Sequence, residues 1–156
     1  MANLLQLEDA IIDRLQEVLG SKAHISELPL DPSEIGVPTT ATQIWVAFRK
    51  ENFDPPPEDG VSNPLKPPSQ KRRIIFELII RGQELRVKGH QRIYPILDEI
   101  RDALTGWMPD NIHKANGITR PFYPTEAGFT NMGAGLWVYS QTFACNAVYT
   151  APTRKI

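Results

Sequence analysis

The segment from Lys50 to Arg73 constrains this chain most. It holds Pro55, Pro56, Pro57, Pro64, Pro67 and Pro68 together with Gly60, and little that could be buried. Proline fixes φ and removes a backbone donor, so such density excludes helix and central strand and favours extended, polyproline-type backbone. A connection of more than about 20 residues without regular structure is uncommon inside a compact domain and marks a binding element or an insert. The domain must therefore be built from the sequence on either side. Charges run along this stretch in blocks: Arg49 and Lys50, then Glu51, Asp54, Glu58 and Asp59, then Lys66, Lys71, Arg72 and Arg73.

Upstream, Leu4, Leu7, Ile11, Ile12, Leu15, Val18 and Leu19 fall on one face of a 3.6-residue period, with Glu8, Asp9, Asp13, Arg14 and Glu17 elsewhere. Asn3 is placed to cap the start of this helix and Gly20 to end it. Ser21 to Thr40 carries Pro29, Pro32 and Pro38 and reads as a connector, with room for a short extended piece around Ile25 to Leu28. Thr42 to Arg49 then alternates, Ile44, Val46 and Phe48 on one side and Gln43, Trp45, Ala47 and Arg49 on the other, which is the period of a strand.

Downstream, Ile74 to Arg81 is an almost unbroken apolar run, as expected of an inner strand covered on both faces. A second helix follows, with Ile93, Ile96, Leu97, Ile100 and Leu104 on one face and Gly106 at its end. Pro95 is expected in its first turn, where a missing N–H costs nothing; a start near Lys88 would put it in the interior. Gly117 to Thr125 and Leu136 to Tyr149 read as two strands of an antiparallel hairpin whose tip spans Gly128 to Gly135. The expected fold is a single α+β domain over residues 1–156, two helices packed on one face of a roughly four-stranded, mainly antiparallel sheet, with residues 50–73 as a long Pro-rich loop.

The pattern offers little chemistry. Lys plus Arg is 17 and Asp plus Glu 18, a net charge of −1, which excludes a domain built as a whole to coat nucleic acid. His24, His90 and His113 stand apart from one another and from Cys145, so no zinc spacing exists and no metal or cofactor is expected. Asp98, Glu99 and Asp102 alternate with Arg92 and Arg101 as a solvated helix face. Gly133-Ala134-Gly135 leads into a strand rather than a helix, unlike a phosphate-cradling loop. Cys145 lies in a strand pattern, where cysteine is a small hydrophobe, and a lone cysteine fits a reducing compartment. No basic leader opens the chain and no apolar run approaches the ~18 residues of a membrane helix. Lys71, Arg72 and Arg73 read as solvating the entrance to an apolar strand and discouraging edge pairing, ahead of a partner contact. Trp137, Tyr139, Phe143 and Tyr149 share one parity; without interleaved Arg or Lys they suit a core or subunit interface better than base stacking.

Taken in order, the helix Leu4 to Leu19, Gln43 to Arg49 (Gln-Ile-Trp-Val-Ala-Phe-Arg), the Pro-rich loop, Ile74 to Arg81 (Ile-Ile-Phe-Glu-Leu-Ile-Ile-Arg), Ile100 to Trp107 (Ile-Arg-Asp-Ala-Leu-Thr-Gly-Trp) and Gly135-Leu136-Trp137 resemble the Mu-like phage tail terminator family over nearly the whole chain. That resemblance implies a non-enzymatic virion protein of the tail. Such proteins form a homohexameric ring at the head-proximal end of the tail tube, stop its polymerisation, and present the tail to the head-completion or neck proteins. Implied partners are the chain itself, the tail tube protein, the sheath protein in a contractile tail, the head–tail connector, and DNA only as it passes through the lumen; no membrane is involved, and assembly takes place in the host cytoplasm. Candidate subunit or partner contacts are Arg49, Lys50, Asp54, Glu58, Asp59, Lys66, Lys71, Arg72, Arg73, Trp137 and Tyr139. Two alternatives stand beside it: a head–tail adaptor or other neck or tube subunit, and a small enzyme or nucleic-acid binder without a recognisable motif.

Overall fold

A computed structural model describes residues 3–29, 42–55, 69–81, 89–109, 117–131 and 137–150. Helix α1 (Leu4–Leu19) starts where the Asn3 side chain accepts hydrogen bonds from the N–H groups of Leu5 and Gln6 at 3.0 and 3.3 Å. Two of the donors that a helix start leaves without partners are thereby satisfied. It stops at Gly20, whose φ of 56° lies in the left-handed region and whose N–H donates to the Gln16 carbonyl. A single 3-10 turn (Gly20–Lys22) leads into β1 (His24–Glu27), and the remaining elements are β2 (Gln43–Phe53), β3 (Ser69–Arg81), α2 (Gly89–Leu104), β4 (Ile118–Asn131) and β5 (Trp137–Thr150).

The sheet has five strands in the order β1-β2-β3-β5-β4. β1 runs parallel to β2, pairing Ile25 with Ile44 and Glu27 with Val46, and every other pair is antiparallel. The expectation of four strands is thus corrected to five and the sheet is mixed. The short extended piece around Ile25 supplies the extra strand.

Both helices lie on one face of the sheet. Leu7, Ile11, Leu15 and Leu19 of α1 and Ile93, Ile96, Ile100 and Leu104 of α2 bury against Ile44, Val46, Phe76, Leu78, Ile80, Phe143 and Cys145. Phe76 is fully buried, with its ring edge-on to Phe48 and Phe122; truncating a core phenylalanine to alanine costs about 3–5 kcal/mol. The end of α2 is stitched to β4: Gly106 N–H donates to Phe122 O at 2.8 Å, Phe122 N–H donates to Trp107 O at 3.1 Å, and the two rings stack at 5.8 Å. The Arg14 guanidinium sits over the Trp107 ring and donates to the Ala103 carbonyl, locking α1 to this corner.

Three boundaries differ from expectation. Pro95 lies inside α2 rather than in its first turn; it is exposed, so the interrupted backbone bonding faces water. β4 runs through Gly128, which pairs with Ser140 and so belongs to the strand rather than to a tip. Finally, residues 50–53 and 69–73, expected in the Pro-rich loop, are strand: Lys50 pairs with Ile75, Asn52 with Arg73 and Phe53 with Arg72.

Candidate assembly interface

The register of β2 against β3 shifts between Phe48 and Lys50, a bulge in which Arg49 is the extra residue. Up to Phe48, even-numbered residues of β2 face the helices; beyond the bulge, Glu51 and Phe53 do. Glu51 is thereby turned towards Arg72, which alternation within β3 also points to the helix side, and the Arg72 Nη2 group donates to the Glu51 carboxylate. Arg72 is only 5% exposed, its guanidinium lies 5.8 Å from the Phe53 ring centroid, and its Nε has no hydrogen-bond partner among the described residues. Phe53 in turn meets Tyr149 edge-on at 5.7 Å. Expected as part of a solvating Lys-Arg-Arg triplet, Arg72 is instead a buried ion-pair partner, while Lys71 and Arg73 on either side of it are exposed.

On the opposite, helix-free face the strand pairings align Asn52, Arg73, Asn146 and Arg120 in one row across β2, β3, β5 and β4. The Tyr123 hydroxyl donates to Asn146 Oδ1 at 3.1 Å, and the Arg120 guanidinium lies 5.8 Å from the Tyr123 ring. Lys50 and Lys71 flank the row. Arg49 points to the same face, its Nε 3.7 Å from Glu77, which also accepts from the Ser140 hydroxyl at 3.0 Å. At the border Asp54 N–H donates to the Lys71 carbonyl at 2.8 Å and Gln70 donates back to the Asp54 carbonyl. These residues, with Pro55, Ser69 and Val148, line an open groove of about 350 Å³. Lys50, Lys71 and Arg73 have no ion-pair partner among the described residues, and Arg120 has only the tyrosine ring.

Towards the far end of the same face Trp45 and Val138 are buried beside Ile79, and Arg81, opposite Gln43, is buried at the end of β3. On the helix side at that end, Tyr139 lies between Tyr94 of α2, edge-on at 6.3 Å, and Phe129 of β4, stacked at 5.4 Å. Tyr94 and Phe129 are each about half exposed, at 52% and 51%. Burial, and secondarily the neighbouring Tyr94, pushes the Tyr139 phenol above its usual pKa.

Of the residues singled out in the sequence, the structure gathers Arg49, Lys50, Lys71 and Arg73 on one face, with Asp54 adjoining. Tyr139 belongs to the helix-side core and Arg72 to the buried pair. Trp137 opens β5 opposite Asn131; its side chain, with Glu58, Asp59 and Lys66, lies outside the described residues. Sequence reasoning missed Arg120, Tyr123 and Asn146. The register of β4 shifts three times, so simple alternation does not place Arg120 and Tyr123 on this face; Asn146, on the unshifted β5, follows from its parity opposite to Tyr139, Phe143 and Cys145. Burial pushes the Cys145 thiol up to about 12, and among the described residues no trio of His, Cys, Asp or Glu side chains is grouped to hold a metal ion. No described helix is long and apolar enough to cross a membrane. The arrangement is suited to binding through charge, donors and exposed rings.

A family model described as Gp37 protein matches residues 11–154. Among solved structures, the chain is similar to one titled "Virion of native gene transfer agent (GTA) particle", at 12% identity and a TM-score of 0.49, over 92% of this chain and 95% of that one. Among curated proteins none matches.

Proposed function

The chain belongs to the Gp37 family, and we propose that it is a non-enzymatic structural virion protein, a phage tail terminator. In this reading copies of the chain close into a ring on the head-proximal end of the tail tube, stop its growth and present it to the neck. The observation that carries the reading is the unlikeness of the two borders of the sheet. On one side β4, 14 residues long, has no partner on its outer side among the described residues, with Phe129 exposed upon it. On the other, β1 pairs only with Gln43 to Val46, so β2 from Ala47 onward has no partner on that side among the described residues. Two different unfinished borders on one subunit suit a head-to-tail contact, which closes as a ring or runs on as a filament; two equal ones would suit a twofold dimer. A ring uses both borders without open-ended growth. The number six is supplied by the resemblance to tail terminators.

Electron microscopy of assembled tails carrying a tagged chain tests this. A single ring of density at the head-proximal end is the expected result. Label along the tube, at the distal tip or absent from particles overturns the reading, and a ring retained on heads without tails moves the assignment to a head–tail adaptor.

A further inference from the structure

The near-neutral composition hides a strong sidedness. The helix layer exposes Asp9, Asp13, Glu17, Asp98 and Asp102, against which its described cations are already engaged: Arg14 with the Ala103 carbonyl, Lys22 with Glu99 at 2.6 Å and Arg101 with Asp98 at 4.0 Å. The helix-free face carries the reverse. Lys50, Lys71, Arg73 and Arg120 are exposed there without carboxylate partners among the described residues, and Glu77 is already held by Arg49 and Ser140. Among the described residues, Asp54 and Glu126 are the remaining exposed carboxylates at this end, at the groove and on the border strand.

We propose that the row Asn52, Arg73, Asn146 and Arg120 on the helix-free face is the docking surface for the acidic outer face of α1 in a second copy of this chain. The two surfaces are chemically complementary and lie on opposite sides of one subunit, so the contact is heterologous and repeats from copy to copy. Arg73 and Arg120 supply planar forked donors that engage carboxylates in pairs. Asn52 and Asn146 add neutral donors that fix register without adding charge. Opposed charge sets orientation and rejects the like-on-like pairings of helix layer to helix layer and sheet face to sheet face. This docking is a contact between faces, separate from the border contacts on which the ring reading rests, and either can fail without the other.

The test is a charge swap read by sedimentation velocity of the purified full chain at high protein concentration and low salt. Wild type self-associates and is dissociated by raising salt, as exposed charge pairs are screened. R73E/R120E and D9K/D13K each fail to associate at concentrations at least tenfold above those at which wild type does. All substituted positions are exposed, and thermal melts close to wild type exclude misfolding as the cause. An equimolar mixture of the two variants associates again, because both contacts are then restored in alternation. Wild type that stays monomeric at low salt, or a mixture that does not recover, overturns the inference. Salt-sensitive retention of a 30-base-pair duplex by monomeric wild type, lost in R73E/R120E, overturns it in favour of a polyanion site. None of these outcomes bears on where the chain sits in a tail, which microscopy decides separately.

Discussion

The Arg72–Glu51 pair allows a prediction in which the two halves of one ion pair behave differently. Arg72 is 5% exposed, whereas the Glu51 side chain retains 24% of its accessibility. Removing one partner of a fully buried pair costs about 3–5 kcal/mol, because the remaining charge is stranded. E51A strands a guanidinium that already lacks a partner at Nε. Partial solvent access to Glu51 screens the interaction, which lowers the expected cost to about 2 kcal/mol. R72M removes the buried charge together with the orphaned Nε and keeps a long apolar stem against Phe53, leaving Glu51 free to turn to water. Replacement of a buried charge by an apolar side chain of similar volume is often neutral or stabilising, so R72M should stay within about 1 kcal/mol of wild type. For a chain of this length 1 kcal/mol corresponds to a shift in Tm of about 2–4 °C. Thermal melts followed by circular dichroism should therefore show E51A lower by about 4–8 °C and R72M nearly unchanged. If R72M proves the more damaging of the two, the guanidinium is a net stabiliser and the reasoning is wrong.

Burial, and then the nearby Glu27 and Asp9, raises the pKa of Glu8, while a hydrogen bond from the Phe48 backbone opposes the shift. Folding thus favours the protonated carboxyl, a contribution complete at acid pH and lost as pH rises through the folded-state pKa; E8Q, which keeps the acceptor, should be more stable than wild type at pH 7, with the gap in denaturation midpoint closing towards pH 4. Cys145, with its thiol pushed up to about 12 and no exposed surface, should resist iodoacetamide in the native protein and react on unfolding, as read by mass spectrometry. Replacing Pro55 to Pro68 with a short Gly/Ser linker should leave Tm within a few degrees of wild type, because closure entropy changes slowly with loop length; a collapse of Tm would place that segment in the core.

How far the fold was legible depends on how local its causes are. α1 is written in the sequence from cap to cap, since Asn3, the apolar face and Gly20 act within one helix. β1 is written only as a short extended piece around Ile25 to Leu28, because four residues carry no period and pairing parallel to β2 is a tertiary choice. For α2 the sequence leaves two starts open: the intrinsic cost of proline favours placing Pro95 in the first turn, whereas an exposed Pro95 lets solvent absorb that cost, and the helix takes the start near Lys88. At the interface the block of positive charge at Lys71 to Arg73 was visible, but its division was not. Period-two alternation extended back to Ser69 would have separated buried Arg72 from exposed Lys71 and Arg73. The position of Arg120 depends on irregular pairing between β4 and β5, which no single-strand pattern contains.

The extra residue in β2 works like a frameshift in a two-letter code. Before Arg49, the even positions are the interior letters; after it, the odd positions are. Deleting Arg49 would leave every other side chain of the strand chemically unchanged and reverse the meaning of the four that follow. Lys50 and Asn52 would turn towards the helix side, while Glu51 would leave Arg72 and Phe53 would leave Tyr149. A single deletion would thus remove Lys50 and Asn52 from the donor-bearing face and break the internal pair at once. The two ends of this one strand can vary their charges independently only while position 49 stays inserted between them.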